Sequence, residues 1–407
     1  MGTIAMVERP LQPESSSSGI LAAFRRVTST GLLIPEIDGL RFVAILSVFV
    51  YHLAGDVLRH ADPAYAAAVS HGDWFFQFTQ KLDFGVPLFF VISGFILALP
   101  FAKHYVANQP RVPLSKYYLR RVTRLEPPYL LSLLLLFLLK VASGQSSAYL
   151  APHLLASSLY VHNPVFHGPS LITVVAWSLE IEIQFYILAP ALAQIFRVGA
   201  TLRRIALSGT CIVAAIFQSL LSPESVLHLS VLGYLQYFIA GFLLADLYLS
   251  YTPAGKSRWD TISLAGWPAL ALLLFFPHVL PFLAPFLVAL LYFGALQGYW
   301  SRRIFANRVL SSVGGMCYTI YLLHNYTIAA LGRVTESVIL SDVFVFRLGT
   351  QLALMIPPVL LISALYFKLV EKPCMEFRIT LRSWAKYTAP TQAVVQPEGR
   401  LQPDSMS

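Results

Sequence analysis

Ten runs of 17 to 24 mostly apolar residues occupy positions 38–56, 84–102, 126–144, 172–195, 204–221, 227–249, 261–277, 280–298, 311–331 and 349–369. About 20 such residues in helical form cross a hydrocarbon layer roughly 30 Å thick. By that length criterion each run reads as a spanning helix. The expected fold is therefore all-α: a polytopic integral membrane protein with about ten transmembrane helices. Composition agrees, with 12% charged residues against about 25% in soluble domains. The formal charge of +9 is no nucleic-acid footprint, because loop Lys and Arg in a membrane protein set its orientation. No nucleic-acid partner is expected. Cys211, Cys317 and Cys374 lie far apart and follow no metal-ligand or disulfide spacing.

The loops alternate in charge. The second to third connection carries Lys103, Arg111, Lys116, Arg120, Arg121 and Arg124, whereas residues 145–171 contain no Lys or Arg. Arg197, Arg203 and Arg204 follow span four, Arg302, Arg303 and Arg308 follow span eight, and Lys372, Arg378, Arg382 and Lys386 follow span ten. The positive-inside rule then puts both termini in the cytoplasm. Three segments are expected: a flexible cytoplasmic stretch over 1–35, a membrane domain over 36–375, and a largely disordered cytoplasmic tail over 376–407. A short amphipathic piece near Ile20–Val27 is expected on the membrane surface. No cleavable leader and no appended soluble domain are expected.

Span one, Ile37 to Asp56, carries the first chemical signal. Asp38-Gly39 reads as its helix start. Within it, Arg41 and His52 stand 11 residues apart, about 20° short of or past three full turns, so they share a face about 16 Å apart along the axis. Arg41 is expected at the cytoplasmic edge and His52 deep. Asp56, four residues on, is placed to orient the imidazole. An ionisable group at depth is a functional candidate, although a helix-to-helix hydrogen bond would also account for one histidine.

Two further spans place polar groups at similar depth. Span four reads Trp177-Ser178-Leu179-Glu180-Ile181-Glu182-Ile183-Gln184-Phe185-Tyr186, and Glu182 shares a face with Ser178. Span nine reads Cys317-Tyr318-Thr319-Ile320-Tyr321-Leu322-Leu323-His324. One cavity holding His52, Glu182 and His324 would account for all three. At the cytoplasmic side, Arg120, Arg121 and Arg124 cluster within one helical turn and suit phosphate oxygens, as any basic loop partly does. Gly85-Val86-Pro87 opens span two, and Ser93-Gly94 is expected to let another helix approach closely.

These stretches together resemble acyltransferase family 3, the integral-membrane O-acyltransferases that include bacterial O-antigen and exopolysaccharide O-acetylases. The resemblance rests on Arg41 with His52 at Arg-x10-His spacing, and on Gly85-Val86 through Phe89-Phe90-x-Ile92-Ser93-Gly94-Phe95. It continues through Arg121-x-x-Arg124-x-x-Pro127, Trp177-Ser178-Leu179-x-x-Glu182-x-Gln184-Phe185-Tyr186, Tyr318-Thr319-Ile320-Tyr321-Leu322-x-His324 and Glu371-Lys372-Pro373. Ile183 stands where many members have a second Glu, and Cys317 where Ser often precedes the Tyr. Many members also carry a C-terminal esterase-like domain; this chain resembles the stand-alone type.

The resemblance implies an O-acetyltransferase of a bacterial-type inner membrane that takes an acyl group, most often acetyl, from cytoplasmic acyl-CoA. The acceptor it implies is a hydroxyl of an extracytoplasmic or lipid-linked glycan, and a separate extracytoplasmic acyl-accepting protein is a further partner it admits. Membrane lipids are partners by location, and no metal is expected. Arg41, Arg121 and Arg124, with Arg120 beside them, would hold the phosphates of the donor. His52 would act as general base or carry the acyl group, with Asp56 or Glu182 holding its tautomer. Tyr321 and His324 would polarise the thioester carbonyl or bind sugar. The competing class is a glycan or lipid transporter or flippase with His and Glu as proton relay. It would call for an internal inverted repeat, and none is visible. The loop from Gly144 to Ser170 is expected to face outward, with His153, His162 and His167 as surface residues.

Overall fold

The computed structural model describes residues 34–222, 224–251 and 257–376, and every regular element among them is helical. The segment over 1–33, with its expected surface helix, and the tail from 377 lie outside the described residues. In chain order the helices are α1 (Pro35–Arg59), α2 (Pro63–Gly72), α3 (Trp74–Thr79), α4 (Gly85–Val106), α5 (Leu114–Ala142), α6 (Ser147–Ser158), α7 (His162–Phe166) and α8 (Ala176–Leu192). They continue with α9 (Ala200–Leu220), α10 (Val231–Ser250), α11 (Ser257–Leu273), α12 (Leu280–Gln297), α13 (Trp300–Phe305), α14 (Arg308–Gly315), α15 (Cys317–Thr335) and α16 (Phe344–Tyr366).

Among the described residues eight segments are long and apolar enough to cross a membrane, so the chain is a multi-pass, all-α membrane protein. The other two expected spans are present as helices. One is α11, 17 residues long; the other is α15, whose 19 residues include His324, Asn325 and Arg333. Burial sorts the bundle into inner and outer helices. The apolar stretches of Trp74–Val106 and Val231–Ser250 are 72% and 67% buried, against 28% for α5, α9 and the Phe344–Glu376 span. Leu134, Leu135, Leu138 and Leu139 of α5 stay exposed, as suits a helix facing lipid.

Between helices in lipid there is little hydrophobic driving force, so close approach and packing hold the bundle. Gly94 of α4 and Gly241 of α10 supply it at the central crossing. A Cβ on Gly94 would lie 2.2 Å from the Phe238 carbonyl oxygen, and one on Gly241 would lie 2.4 Å from that of Val91. Gly39 serves α1 in the same way, against Phe305 of α13. This corrects the expected helix start. The helix begins at Pro35, whose fixed φ suits a first turn, and Asp38 lies inside that turn and pairs with Arg41. The aspartates after span one are caps instead: Asp62 accepts from Ala64 and Tyr65 amides, and Asp73 from Phe76.

Two breaks position the site. Span nine is divided at Met316, so α14 and α15 are separate helices and α15 begins at Cys317. The uncharged loop is a helical hairpin that folds back along α5. The Tyr129 hydroxyl donates to the Ser157 carbonyl at 3.0 Å, and the Tyr129 and Tyr160 rings stack 4.9 Å apart. Tyr129 lies 13 residues before the end of α5, so the hairpin tip sits about 20 Å back from that end. An uncharged sequence suits such a re-entrant segment, whose backbone is tied to protein. His153 and His162 are therefore buried rather than on the surface, joined Nδ1 to Nε2 at 2.9 Å; His167 is exposed.

Candidate active site

A cavity of about 100 Å³ opens between α1, α4, α5, α8 and α15. That is roughly three waters' worth of space, room for the slender end of a ligand rather than for a nucleotide. Arg41, Arg121, Arg124 and Glu182 bring charge to its lining, with Ser93, Ser178, Cys317, Tyr186, Tyr318 and Tyr321. The helical reading of residues 120–124 holds, since α5 runs unbroken through Pro127 and Pro128. Only two of the three arginines face the cavity, however; Arg120 is not in its lining.

The three guanidiniums differ in their partners. Arg41 is bonded to Asp38 at 2.5 Å through Nη1. Arg124 lies 3.9 Å from Glu371, a fully buried carboxylate whose other oxygen accepts from Thr319 Oγ1 at 2.6 Å. Arg121 forms no ion pair among the described residues and lies against the rings of Tyr186, at 5.4 Å, and Tyr117, at 5.8 Å. Its Nε is buried without a hydrogen-bond partner. Arg121 is thus the guanidinium with most capacity left for an anion. Among the described residues no group of three or more His, Cys, Asp or Glu is arranged to hold a metal ion.

Within the motif Ser178 to Tyr186, successive polar side chains have separate tasks. Glu180 accepts from the amides of His162 and Asn163 at 3.1 and 3.0 Å and so caps α7. Gln184 accepts from the Val231 amide at 2.8 Å, at the start of α10. Of these three, Glu182 is the one that lines the cavity, where Ser93 Oγ donates to it at 2.5 Å. The Tyr321 hydroxyl is tied to Ser178 Oγ at 2.6 Å and the Val175 carbonyl at 3.1 Å, so it braces α15 against α8.

His52 and His324 meet one level further along. Their ring centroids are 5.1 Å apart with planes at 54°. Neither lines the cavity; Tyr321 links the two zones, with its ring 5.9 Å from that of His324. The expected single cavity holding His52, Glu182 and His324 is therefore two adjoining zones, with Glu182 among the arginines. Asp56 does not orient His52: its carboxylate takes Arg59 at 3.1 Å and His60 at 3.4 Å, and it packs against Gly332. His324 is fully buried, and its Nδ1 donates to the carbonyls of Ile320 and Tyr321 at 3.0 and 2.9 Å. The neutral ring then presents only a lone pair at Nε2, which accepts and cannot polarise a carbonyl.

Sequence reasoning passed over Ser93 as packing and Glu371 as a marker. Nothing local in the sequence distinguishes them, since Ser93 finds Glu182 across 89 residues and Thr319 finds Glu371 across 52.

A family model described as an acyltransferase domain matches residues 34–368. The chain is 23% identical over 387 residues to a Staphylococcus aureus (strain COL) protein provisionally named an O-acetyltransferase, with 86% of this chain and 59% of that protein covered. It thus spans less than two thirds of that relative's length. It is also 28% identical over 174 residues to the peptidoglycan O-acetyltransferase OatA of Listeria monocytogenes, covering 40% of this chain and 24% of that one. No solved structure matches.

Proposed function

The chain belongs to this acyltransferase family, and from that premise we propose that it is a membrane O-acetyltransferase that moves an acetyl group from cytoplasmic acetyl-CoA to a hydroxyl of a cell-envelope glycan. The observation that carries the reading is the adjacency of a cavity lined by Arg41, Arg121 and Arg124 to the His52–His324 pair. An anionic donor with a reactive thioester end calls for both. The name of the Listeria relative supports a glycan acceptor. Basic connections on one side of the bundle support an orientation with the arginines toward the cytoplasm of a bacterial inner membrane.

In this reading Arg121 and Arg124 hold donor phosphates at the mouth of the cavity, and Arg41 steadies the donor further in. The pantetheine arm runs past Tyr321 toward His52, about 16 Å from Arg41 by helical rise. His52 takes the proton of the acceptor hydroxyl as its oxygen attacks the thioester carbonyl. The carbon–sulfur bond breaks, and the imidazolium returns the proton to the CoA thiolate. Binding a chain-like arm requires the cavity to widen, and Glu182, held by Ser93, stands where its amides pass.

The test is thiol release. Purified protein in detergent, given acetyl-CoA and a glycan acceptor, is expected to liberate CoA thiol and acetylated product together. His52→Ala is expected to lower the rate at least about 100-fold, the usual lower limit for a general base, while purifying normally. A wild-type protein that moves glycan across vesicles yet releases no thiol would replace this reading by transport.

A further inference from the structure

We propose that His324 is the positioning residue for His52: its Nε2 accepts the N–H of His52 and thereby fixes which His52 nitrogen faces the reacting hydroxyl. The proposal rests on the acyl-transfer reading above. Three observations converge on it. First, His324 is 0% exposed, and both partners of its Nδ1 are backbone carbonyls, which only accept. The proton is therefore on Nδ1, and Nε2 is a fixed acceptor. Second, Nε2 is buried without a hydrogen-bond partner. A buried acceptor left empty is rare and points to a group that arrives.

Third, the nearest imidazole is at the separation such a bond needs. His52 and His324 have centroids 5.1 Å apart, and the same separation in the His153–His162 pair accompanies a 2.9 Å Nδ1···Nε2 hydrogen bond. The planes stand at 54° in the His52–His324 pair and at 33° in the bonded pair, and His52 is half-buried. The carboxylates that would otherwise serve are engaged, Asp56 with Arg59 and His60, and Glu182 with Ser93. In the resulting dyad His52 gives its N–H to His324 and turns its free lone pair to the acceptor hydroxyl. The proton taken in catalysis is held on His52 until it passes to the CoA thiolate, while His324 keeps its own proton on Nδ1 toward the helix backbone.

Two substitutions separate positioning from packing. Gln at 324 offers an oxygen near the place of Nε2 but cannot carry a proton. Asn at 324 keeps a donor near the place of Nδ1 and leaves the Nε2 place empty. With acetyl-CoA thiol release as the assay, His324→Gln is expected within about tenfold of wild type and His324→Asn lower by about 100-fold or more, with KM for acetyl-CoA unchanged in both. A second readout is modification of His52 by diethyl pyrocarbonate, followed by peptide mass; it is expected to slow several-fold in His324→Asn and to recover in His324→Gln. Two well-folded variants that are equally inactive would make His324 itself the proton carrier and overturn the proposal. Two that are equally active, or unchanged His52 modification in both, would reduce it to packing. Absence of thiol release by wild type would sink the acyl-transfer reading itself, whereas equal losses with an active wild type would sink the dyad alone.

Discussion

Arg121 and Arg124 sit nearly one turn apart on α5 in different company. Arg124 shares its charge with buried Glu371, while Arg121 lies against two tyrosine rings and forms no ion pair among the described residues. A charge-assisted hydrogen bond contributes about 1.5–3 kcal/mol, or roughly tenfold to a hundredfold in affinity. Arg121→Ala is expected to raise the KM for acetyl-CoA by that factor with little change in acceptor dependence. Arg124→Ala is expected to do the same and also to lower stability, because it strands a buried carboxylate; Glu371→Gln in the same background should restore part of the stability. Titrating acetyl-CoA and following thermal unfolding in detergent reads both. Unchanged donor binding in both variants would leave the cluster as an orientation signal only.

At the scale of helices, the site depends on crossings held by glycine. Gly94 touches the Phe238 carbonyl, and its neighbour Ser93 holds Glu182. Close packing of α4 on α10 thus also sets where Glu182 is gripped. Gly94→Ala places a methyl carbon 2.2 Å from backbone oxygen, a clash that only helix separation relieves. It is expected to cost ~1–3 kcal/mol and to lower activity beyond the loss of folded protein, since Ser93 moves with the helix. Gly168→Ala, where nothing lies within 4 Å, is the matched control and should be neutral. An active, fully stable Gly94→Ala protein would show that the crossing has slack the packing does not suggest.

At the scale of the molecule, the arginine zone and the histidine zone are arranged along the bundle axis, about 16 Å apart on α1. Donor and acceptor are expected to approach His52 from opposite faces, so that the acetyl group crosses while CoA does not. Proteoliposomes of known orientation, loaded with acetyl-CoA on the arginine side and given acceptor on the other, are expected to form product. Product formed only when both substrates share one face would remove the through-membrane route and leave the acyl-transfer reading standing.

Length and period were legible in the sequence. Most apolar runs of about 20 residues became helices long enough to span, and a spacing of 11 residues within one helix brings Arg41 and His52 to one face, because both follow from the geometry of a single helix. The phase of Arg121 and Arg124 follows in the same way. Partner choice was not legible. Asp56 was in phase with His52 yet pairs with Arg59 and His60, and His324 turned out to be His52's neighbour across 272 residues. The uncharged loop became a hairpin folded against α5. Helix geometry fixes the face and depth of a side chain locally. What that face meets depends on how helices distant in sequence pack, and here glycine contacts and backbone breaks such as Met316 decided it.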